Sequence, residues 1–172
     1  MTLSERVFKV DLRNLKRATA AAILLGVGLA GLLDTIIFHQ ILQWHHMVSN
    51  KISPNSLESV QINVLSDGLF LVFALIVTIL GIALLWNVSN SNKIDKGLLP
   101  SQMFIGLVIL TFGLFNFVEG IINHHILGLH HVKDDPNPLI FDISFLILGG
   151  LLLIAIGWIL IRKSKYVTQK EV

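Results

Sequence analysis

The sequence predicts an all-α integral membrane protein, a four-helix bundle made of two tandem helical hairpins. Three observations support this prediction: a very apolar composition, four apolar stretches long enough to span a membrane, and a histidine motif that occurs twice. Of the 172 residues, 53% are hydrophobic and 14% are charged, and the mean hydropathy is +0.75. Soluble domains carry about a quarter charged residues, so this composition indicates a lipid bilayer as the surroundings.

Four apolar stretches account for most of the chain. A helix needs about 20 residues to cross about 30 Å of hydrocarbon, and each stretch reaches that length. We therefore predict a single transmembrane domain over 1–172, with spans near 18–46, 60–86, 101–129 and 139–161. The lipid bilayer is the first expected partner, and no segment is left over for a soluble domain.

The basic residues predict the orientation, because cytoplasmic loops retain Lys and Arg. Of the 13 Lys and Arg residues, only Lys51 and Lys133 lie in the loops that follow the first and third spans. All others lie in the two tails, at the inner ends of the spans or in the loop after the second span. We therefore expect both termini to be cytoplasmic. The net charge of +2 then reflects topology, and no nucleic-acid-binding motif is present.

A repeated motif contains all seven histidines of the chain. The first copy is Asp34-Thr-Ile-Ile-Phe-His39-Gln-Ile-Leu-Gln-Trp-His45-His46, and the second is Glu119-Gly-Ile-Ile-Asn-His124-His125-Ile-Leu-Gly-Leu-His130-His131. The copies are offset by 85 residues, and each is followed by a span that begins near an aspartate, Asp67 or Asp142. We predict an internal repeat of 18–86 and 101–161, with the halves related by a pseudo-twofold axis along the membrane normal.

Counting along the helices places the acidic residues in one layer near the outer face. At about 1.5 Å per residue, this layer contains Asp34, Asp67, Glu119 and Asp142. His39 and His124 come about 7 Å further out. The paired histidines are expected one or two turns higher still, where the helices project beyond the hydrocarbon.

The spacing within the motif limits what one helix can do. Asp34 and His39 are five residues apart, which is about 140° around an α-helix, so a regular helix cannot aim both at one atom. We therefore expect adjacent helices to complete the site. In this arrangement His39 and His124 face the bundle axis, and the descending helices supply Asp67 and Asp142.

The clustered acids predict a metal site. Carboxylates packed in a low-dielectric layer repel one another unless a cation compensates them. The chain has no cysteine, so the ligands must be imidazole and carboxylate, which suit zinc, iron, copper or manganese. The expected inner ligands are Asp34, His39, Asp67, Glu119, His124 and Asp142. An outer ligand set or access relay would comprise His45, His46, His125, His130 and His131.

Four alternatives stay open at the level of sequence. The histidines and acids could form a structural network that pins the bundle, or the metal could activate water or oxygen for a lipid or apolar substrate at the outer leaflet. His39 and His124 could be axial ligands of haem b in a redox module. An ion or proton relay is the fourth alternative, although Thr78 is the main polar residue in the inner part of the second span. Whether the protein is an enzyme, and whether it forms a homo-oligomer or a larger membrane complex, stays undecided.

The motif resembles a bacterial family of predicted membrane proteins known as domain of unknown function 2243. The resemblance lies in Gly31-Leu-Leu-Asp34 through His46, in Asn116-Phe-Val-Glu119 through His125, and in His130-His131, and it covers nearly the whole chain. It implies a multi-pass protein of the bacterial cytoplasmic membrane and no established activity. A looser similarity exists to membrane di-iron hydroxylases and desaturases, whose boxes read His-x-x-His-His. The spacing here is His-x5-His-His, which argues against an oxygenase.

Overall fold

The computed structural model describes residues 12–90 and 99–164. Within these ranges, four helices are long and apolar enough to cross a membrane. These first to fourth spans are Arg13–Ile41, Leu57–Ser89, Ser101–Ile126 and Pro138–Lys163. The predicted all-α membrane bundle is confirmed. Many of the basic residues behind the predicted orientation, Lys93 and Lys96 among them, lie outside the described residues, so the orientation stays a prediction.

The first and third spans form the centre of the bundle. The first span packs against the second and the third, and the third also packs against the fourth. In the most apolar part of each span, 44% of the first and 28% of the third is buried, against 17% of the second and 11% of the fourth. The second and fourth spans therefore present most of their apolar side chains to lipid.

Three of the spans contain a π-helical segment, in which each N–H bonds to the carbonyl five residues earlier. These segments are Thr35–Ile41, Gly120–Ile126 and Phe145–Leu151. At the ends of the first two, Leu42 N–H donates to Ile37 O at 2.8 Å and Leu127 N–H donates to Ile122 O at 2.7 Å. π-Helices are rare and occur frequently at functional sites. Here the first two π-helical segments directly follow Asp34 and Glu119, the acids that open the two motif copies.

The chain leaves the first and third spans through a left-handed residue. Gln43 has φ 51° and Gly128 has φ 54°, and the two positions correspond in the motif copies. Only glycine adopts this conformation without strain, since other residues lose about 1–2 kcal/mol there. The helices consequently end at Ile41 and Ile126, not at 46 and 129 as predicted. Two histidine pairs thus lie in non-helical segments that turn back over the bundle, His45-His46 and His130-His131.

The third and fourth spans touch backbone to backbone at Gly157. A Cβ atom added there would lie 2.5 Å from Leu110 N and 2.6 Å from Gly106 O. Close approach of this kind is typical of small residues between membrane helices, because packing drives their association. The contact lies in the half of the bundle away from the histidines.

We predict that Gly157→Ala destabilises the protein by about 1–3 kcal/mol, since the added methyl overlaps backbone that cannot move aside. Unfolding in mixed micelles, followed by the fluorescence of the neighbouring Trp158, measures the change. Gly68→Ala is the matched control, because a Cβ at Gly68 meets nothing within 4 Å. It should be neutral or stabilise the helix by about 0.5–1 kcal/mol. Equal stability of the two variants would contradict this account of the helix contact.

Candidate metal centre

Four buried imidazoles form a cluster at one end of the bundle. His39, His45, His124 and His130 are between 1% and 4% exposed. The ring centroids of His39 and His45 are 4.3 Å apart, and those of His124 and His130 are 4.8 Å apart. The rings of His45 and His130 stack in parallel at 4.5 Å. Each half thus contributes one histidine from its π-helix and one from the segment that follows.

This arrangement differs from the predicted layering of the histidines. His45 and His130 were expected one or two turns above His39 and His124. Because the chain turns back after Gln43 and Gly128, all four instead lie side by side, and His45 Nε2 is 3.0 Å from His39 Nε2. One compact cluster replaces an inner and an outer set.

The Nδ1 atoms of the first half are held by acceptors. His39 Nδ1 donates to Asp67 Oδ1 at 2.8 Å, and His45 Nδ1 donates to the carbonyl oxygen of Val132 at 2.7 Å. A carboxylate or a carbonyl can only accept, so in both rings the Nδ1 atom carries the proton. In the neutral rings, each Nε2 therefore presents a lone pair to the middle of the cluster.

The second half has corresponding partners with looser geometry. His130 Nδ1 donates to Met47 O at 2.9 Å. His124 Nδ1 lies 3.5 Å from Asp142 Oδ1, an ion-pair distance without a hydrogen bond. A metal-bound histidine usually anchors its other nitrogen on a carboxylate or carbonyl, and His39, His45 and His130 have such an anchor.

Asp67 and Asp142 orient the cluster, and both are fully buried. Besides His39, Asp67 accepts the Nδ1 proton of His46 at 2.6 Å and the backbone N–H of Met47 at 2.7 Å. Asp142 accepts from His131 Nδ1 at 2.6 Å and from Val132 N–H at 2.8 Å. Both aspartates had been predicted as metal ligands, but here their oxygens hold histidines and backbone in place.

Met47 and Val132 link the two halves through their backbone. Each donates its N–H to the aspartate of its own half and accepts, at its carbonyl, a histidine of the other half. Sequence reasoning missed both residues, since an apolar side chain gives no sign of a backbone role. Their position in the sequence could have indicated this role, because Met47 and Val132 each directly follow a His-His pair.

The π-helices bring the motif acids to the cluster. Asp34 Oδ2 lies 3.3 Å from His39 Nε2. Glu119 Oε2 lies 3.9 Å from His124 Nε2, and its Oε1 lies 3.5 Å from His130 Nε2. The expectation that one helix could not bring together an acid and the histidine five residues later assumed a regular α-helix. A π-helix is a local departure from that geometry, and its wider turn places these residues on one face.

Two features of the cluster call for a cation or a proton. The Nε2 atoms of His39 and His45 are 3.0 Å apart, and two lone pairs at that distance repel unless something positive lies between them. The Nε2 atom of His130 is buried and has no hydrogen-bond partner among the described residues. Such an atom loses its hydration without compensation.

Two overlapping groups of residues could hold a metal ion. His39, His45 and His130 form one, and Glu119, His124 and His130 form the other. In each group the possible ligand atoms all lie within 4.8 Å of one another. Burial and the neighbouring His130 lower the pKa of His45 to about 2, so this imidazole is neutral and retains its lone pair at physiological pH.

His125 lies apart from the other predicted residues. It follows His124 on the same π-helix but is exposed, and it contributes no atom to either group. His46 and His131 are also outside the groups, because they bind the buried aspartates. The remaining predicted residues, Asp34, His39, His45, Glu119, His124 and His130, converge.

Comparison with known proteins places the chain in a family. Residues 21–164 match the family model described as "Predicted membrane protein (DUF2243)". No curated protein and no solved structure matches the chain. The match includes every residue of the cluster and all four spans except residues 13–20 of the first. The chain therefore belongs to the DUF2243 family of membrane proteins.

Proposed function

We propose that this protein binds a transition metal ion through the histidine and carboxylate cluster, near the extracytoplasmic face of a bacterial cytoplasmic membrane. Zinc, iron, copper and manganese are the candidate ions. The observation that carries the proposal is the convergence of imidazole Nε2 atoms, above all the 3.0 Å approach of His39 and His45. The Nδ1 anchors direct these lone pairs inward.

The composition of the cluster suits these metals. Imidazole is a ligand for zinc, copper and iron, and carboxylate extends the range to manganese. Asp34 and Glu119 bring two negative charges beside the imidazoles, and a divalent cation would balance them. In the absence of such a cation, two acids in the outer part of a membrane bundle are costly to bury.

A purely structural network explains the cluster less well. In a network that only pins helices, each buried nitrogen would pair with a donor or an acceptor. Here the Nε2 atoms of His39 and His45 can pair through one shared proton, but His130 Nε2 has no hydrogen-bond partner among the described residues and has only Glu119 Oε1 at 3.5 Å. Haem b is also disfavoured, because His45 and His130 occupy the space between His39 and His124.

The recurrence of contacts supports an internal duplication. The same carboxylate, imidazole and backbone partners recur at corresponding positions of 18–86 and 101–161. In this proposal each half supplies one acid and two imidazoles as ligands, and one aspartate that orients them. The two halves would then be related by the pseudo-twofold axis that the sequence predicts.

A membrane metalloenzyme acting on a lipid or apolar substrate is the second candidate. A cavity of about 580 Å³ lies beside the cluster, and Asp34 lines it. Small-molecule sites are typically apolar clefts of 300–1,000 Å³ with a few polar groups. A substrate in this cavity would reach a carboxylate that also contacts His39, which is the proximity that metal-assisted chemistry needs.

We predict that purified wild-type protein carries at least one transition metal ion and that the double variant His39→Ala and His124→Ala loses it. The substitutions remove one imidazole from each half. Elemental analysis by mass spectrometry gives the metal-to-protein ratio. His125→Ala is the matched control, since this exposed histidine lies on the same helix and outside the cluster, and it should retain the wild-type ratio.

Two results would contradict the metal site. The first is an equal metal content in the wild type and the double variant, and the second is a wild type that remains metal-free after incubation with each candidate ion. Thermal unfolding separates folding from binding. The metal should raise the midpoint of the wild type and of His125→Ala, because a ligand stabilises the state that binds it.

We also predict that Asp67→Asn weakens metal affinity about 10- to 100-fold, the usual effect of losing an orienting partner. Asparagine keeps the shape but offers one acceptor oxygen where Asp67 accepts three N–H groups. Competition with a chromogenic chelator measures the affinity. Asp135→Asn is the control, because Asp135 lies in the loop and bonds only to Lys133 and Asn137 among the described residues. Unchanged affinity in Asp67→Asn would remove the assigned role.

A further inference from the structure

The cavity beside the cluster is elongated and opens toward lipid. Its walls come from the first, third and fourth spans and extend from Trp44 and Phe141 at the outer end to Leu153. Phe141 and Leu153 are twelve residues apart, about 18 Å along a helix. Leu33 and Leu148, which also line the cavity, are 44% and 60% exposed on the outer surface of the bundle. A molecule dissolved in the bilayer can therefore enter sideways.

The two halves differ at this cavity. In the second half, Asn123 Nδ2 donates to Glu119 Oε1 at 2.9 Å. The corresponding residue of the first half is Phe38, which lines the cavity and packs against Trp44 at a centroid distance of 5.5 Å. Asp34 consequently has no amide donor comparable to Asn123. Its side chain keeps 10% exposure and is the one carboxylate that the described part of the chain contributes to the cavity wall.

The ammonium group of Lys133 lies beside the outer end of the cavity, over two rings that line it. Lys133 Nζ is 4.6 Å from the centre of the Phe141 ring and 5.8 Å from that of Trp44. These rings attract the ammonium group and hold it at the mouth. One of its three donors bonds to Asp135 at 3.0 Å, which leaves two for another anion.

We propose that this cavity binds a single-chain anionic amphiphile from the bilayer, with the chemistry of a long-chain fatty acid. Its anionic end meets Lys133, and its chain runs down the apolar wall past Asp34. An elongated apolar slot with one cation at its mouth complements a molecule with one chain and one negative end. The chain would thereby pass within reach of the metal cluster.

This inference rests on the proposed metal site in one respect. An ionised Asp34 beside an acyl chain is unfavourable, because a charge loses hydration against an apolar neighbour. A bound metal ion would neutralise Asp34 and make the cavity wall more apolar. The amphiphile is therefore expected to bind more tightly to the metal-loaded protein.

Fluorescence quenching of Trp44 tests the proposal. The protein has three tryptophans, and Trp86 and Trp158 are exposed on other parts of the bundle. In the variant Trp86→Phe and Trp158→Phe, loaded with zinc, 9,10-dibromostearate should quench Trp44 to saturation. Unbrominated stearate should compete. Quenching that rises in proportion to the probe, without competition, would overturn the proposal, since it would reflect random contact with micelle lipid.

A charge variant tests the assigned orientation. Lys133→Gln should weaken dibromostearate binding about tenfold, as the loss of one charged hydrogen bond predicts. It should leave the binding of dibromostearyl alcohol unchanged. The matched control is Lys51→Gln, the lysine of the other external loop, which should behave as the parent protein. Equal weakening by both lysine variants would reduce the effect to general surface charge and overturn the role of Lys133.

Cavity-filling variants test the location. A Cβ at Gly149 would meet Phe145 at 3.4 Å and Asn116 Nδ2 at 3.5 Å, ordinary contacts, so Gly149→Leu should fold and block the cavity. Ser144→Phe is a second filling variant at an exposed position of its wall. Both should abolish saturable quenching, whereas Ile147→Phe, on the lipid-facing side of the same span, should not. Undiminished binding in both filling variants would overturn the proposal.

Metal analysis of the same samples keeps the two proposals separate. Saturable quenching that Gly149→Leu abolishes, in protein that binds no metal, would support the amphiphile site and refute the metal site. Metal binding without saturable quenching would refute the amphiphile site alone. If both bind, chelation of the zinc should weaken dibromostearate binding severalfold.

Discussion

The burial of two aspartates at the end of the bundle that holds the histidines is the constraint on which the rest of the site depends. Asp67 and Asp142 are fully buried, and a carboxylate in such a place is stable only if its oxygens are occupied. The protein meets this demand with histidine N–H groups and with the backbone of Met47 and Val132. Each aspartate accepts two donors from the segment that follows the helix and so fixes that segment, and Asp67 also accepts from the imidazole of His39 within the helix.

Much of the fold could be predicted from the composition, for a physical reason. In a hydrocarbon layer the backbone must satisfy its own hydrogen bonds, so apolar stretches of spanning length become helices. The four spans and their all-α arrangement followed from this rule. The helix geometry also predicted that the descending spans would supply Asp67 and Asp142 to the site, and in the structure Asp67 Oδ1 lies 2.8 Å from His39 Nδ1.

The site itself could be predicted only in part from the sequence. The motif contains the six residues that converge, but the predicted inner set had Asp67 and Asp142 in place of His45 and His130. The distance between Asp34 and His39 depends on a π-helical turn that no residue type specifies. That turn is set by tertiary contacts, as is the left-handed conformation of Gln43, a residue with no special preference for it. The adjacent histidines His124 and His125 differ completely in exposure, because neighbouring residues on a helix point in different directions.

In each half, a backbone carbonyl accepts the Nδ1 proton of a histidine from the other half. The cluster therefore requires both halves. A single hairpin, taken alone, would have a histidine at position 45 or 130 whose Nδ1 proton finds no acceptor within its own fragment. A second hairpin of the same kind would supply one, so a symmetric pair of identical hairpins would already be complete. In a single polypeptide the two sides need not be identical, and Phe38 and Asn123 are one pair of corresponding positions at which they differ.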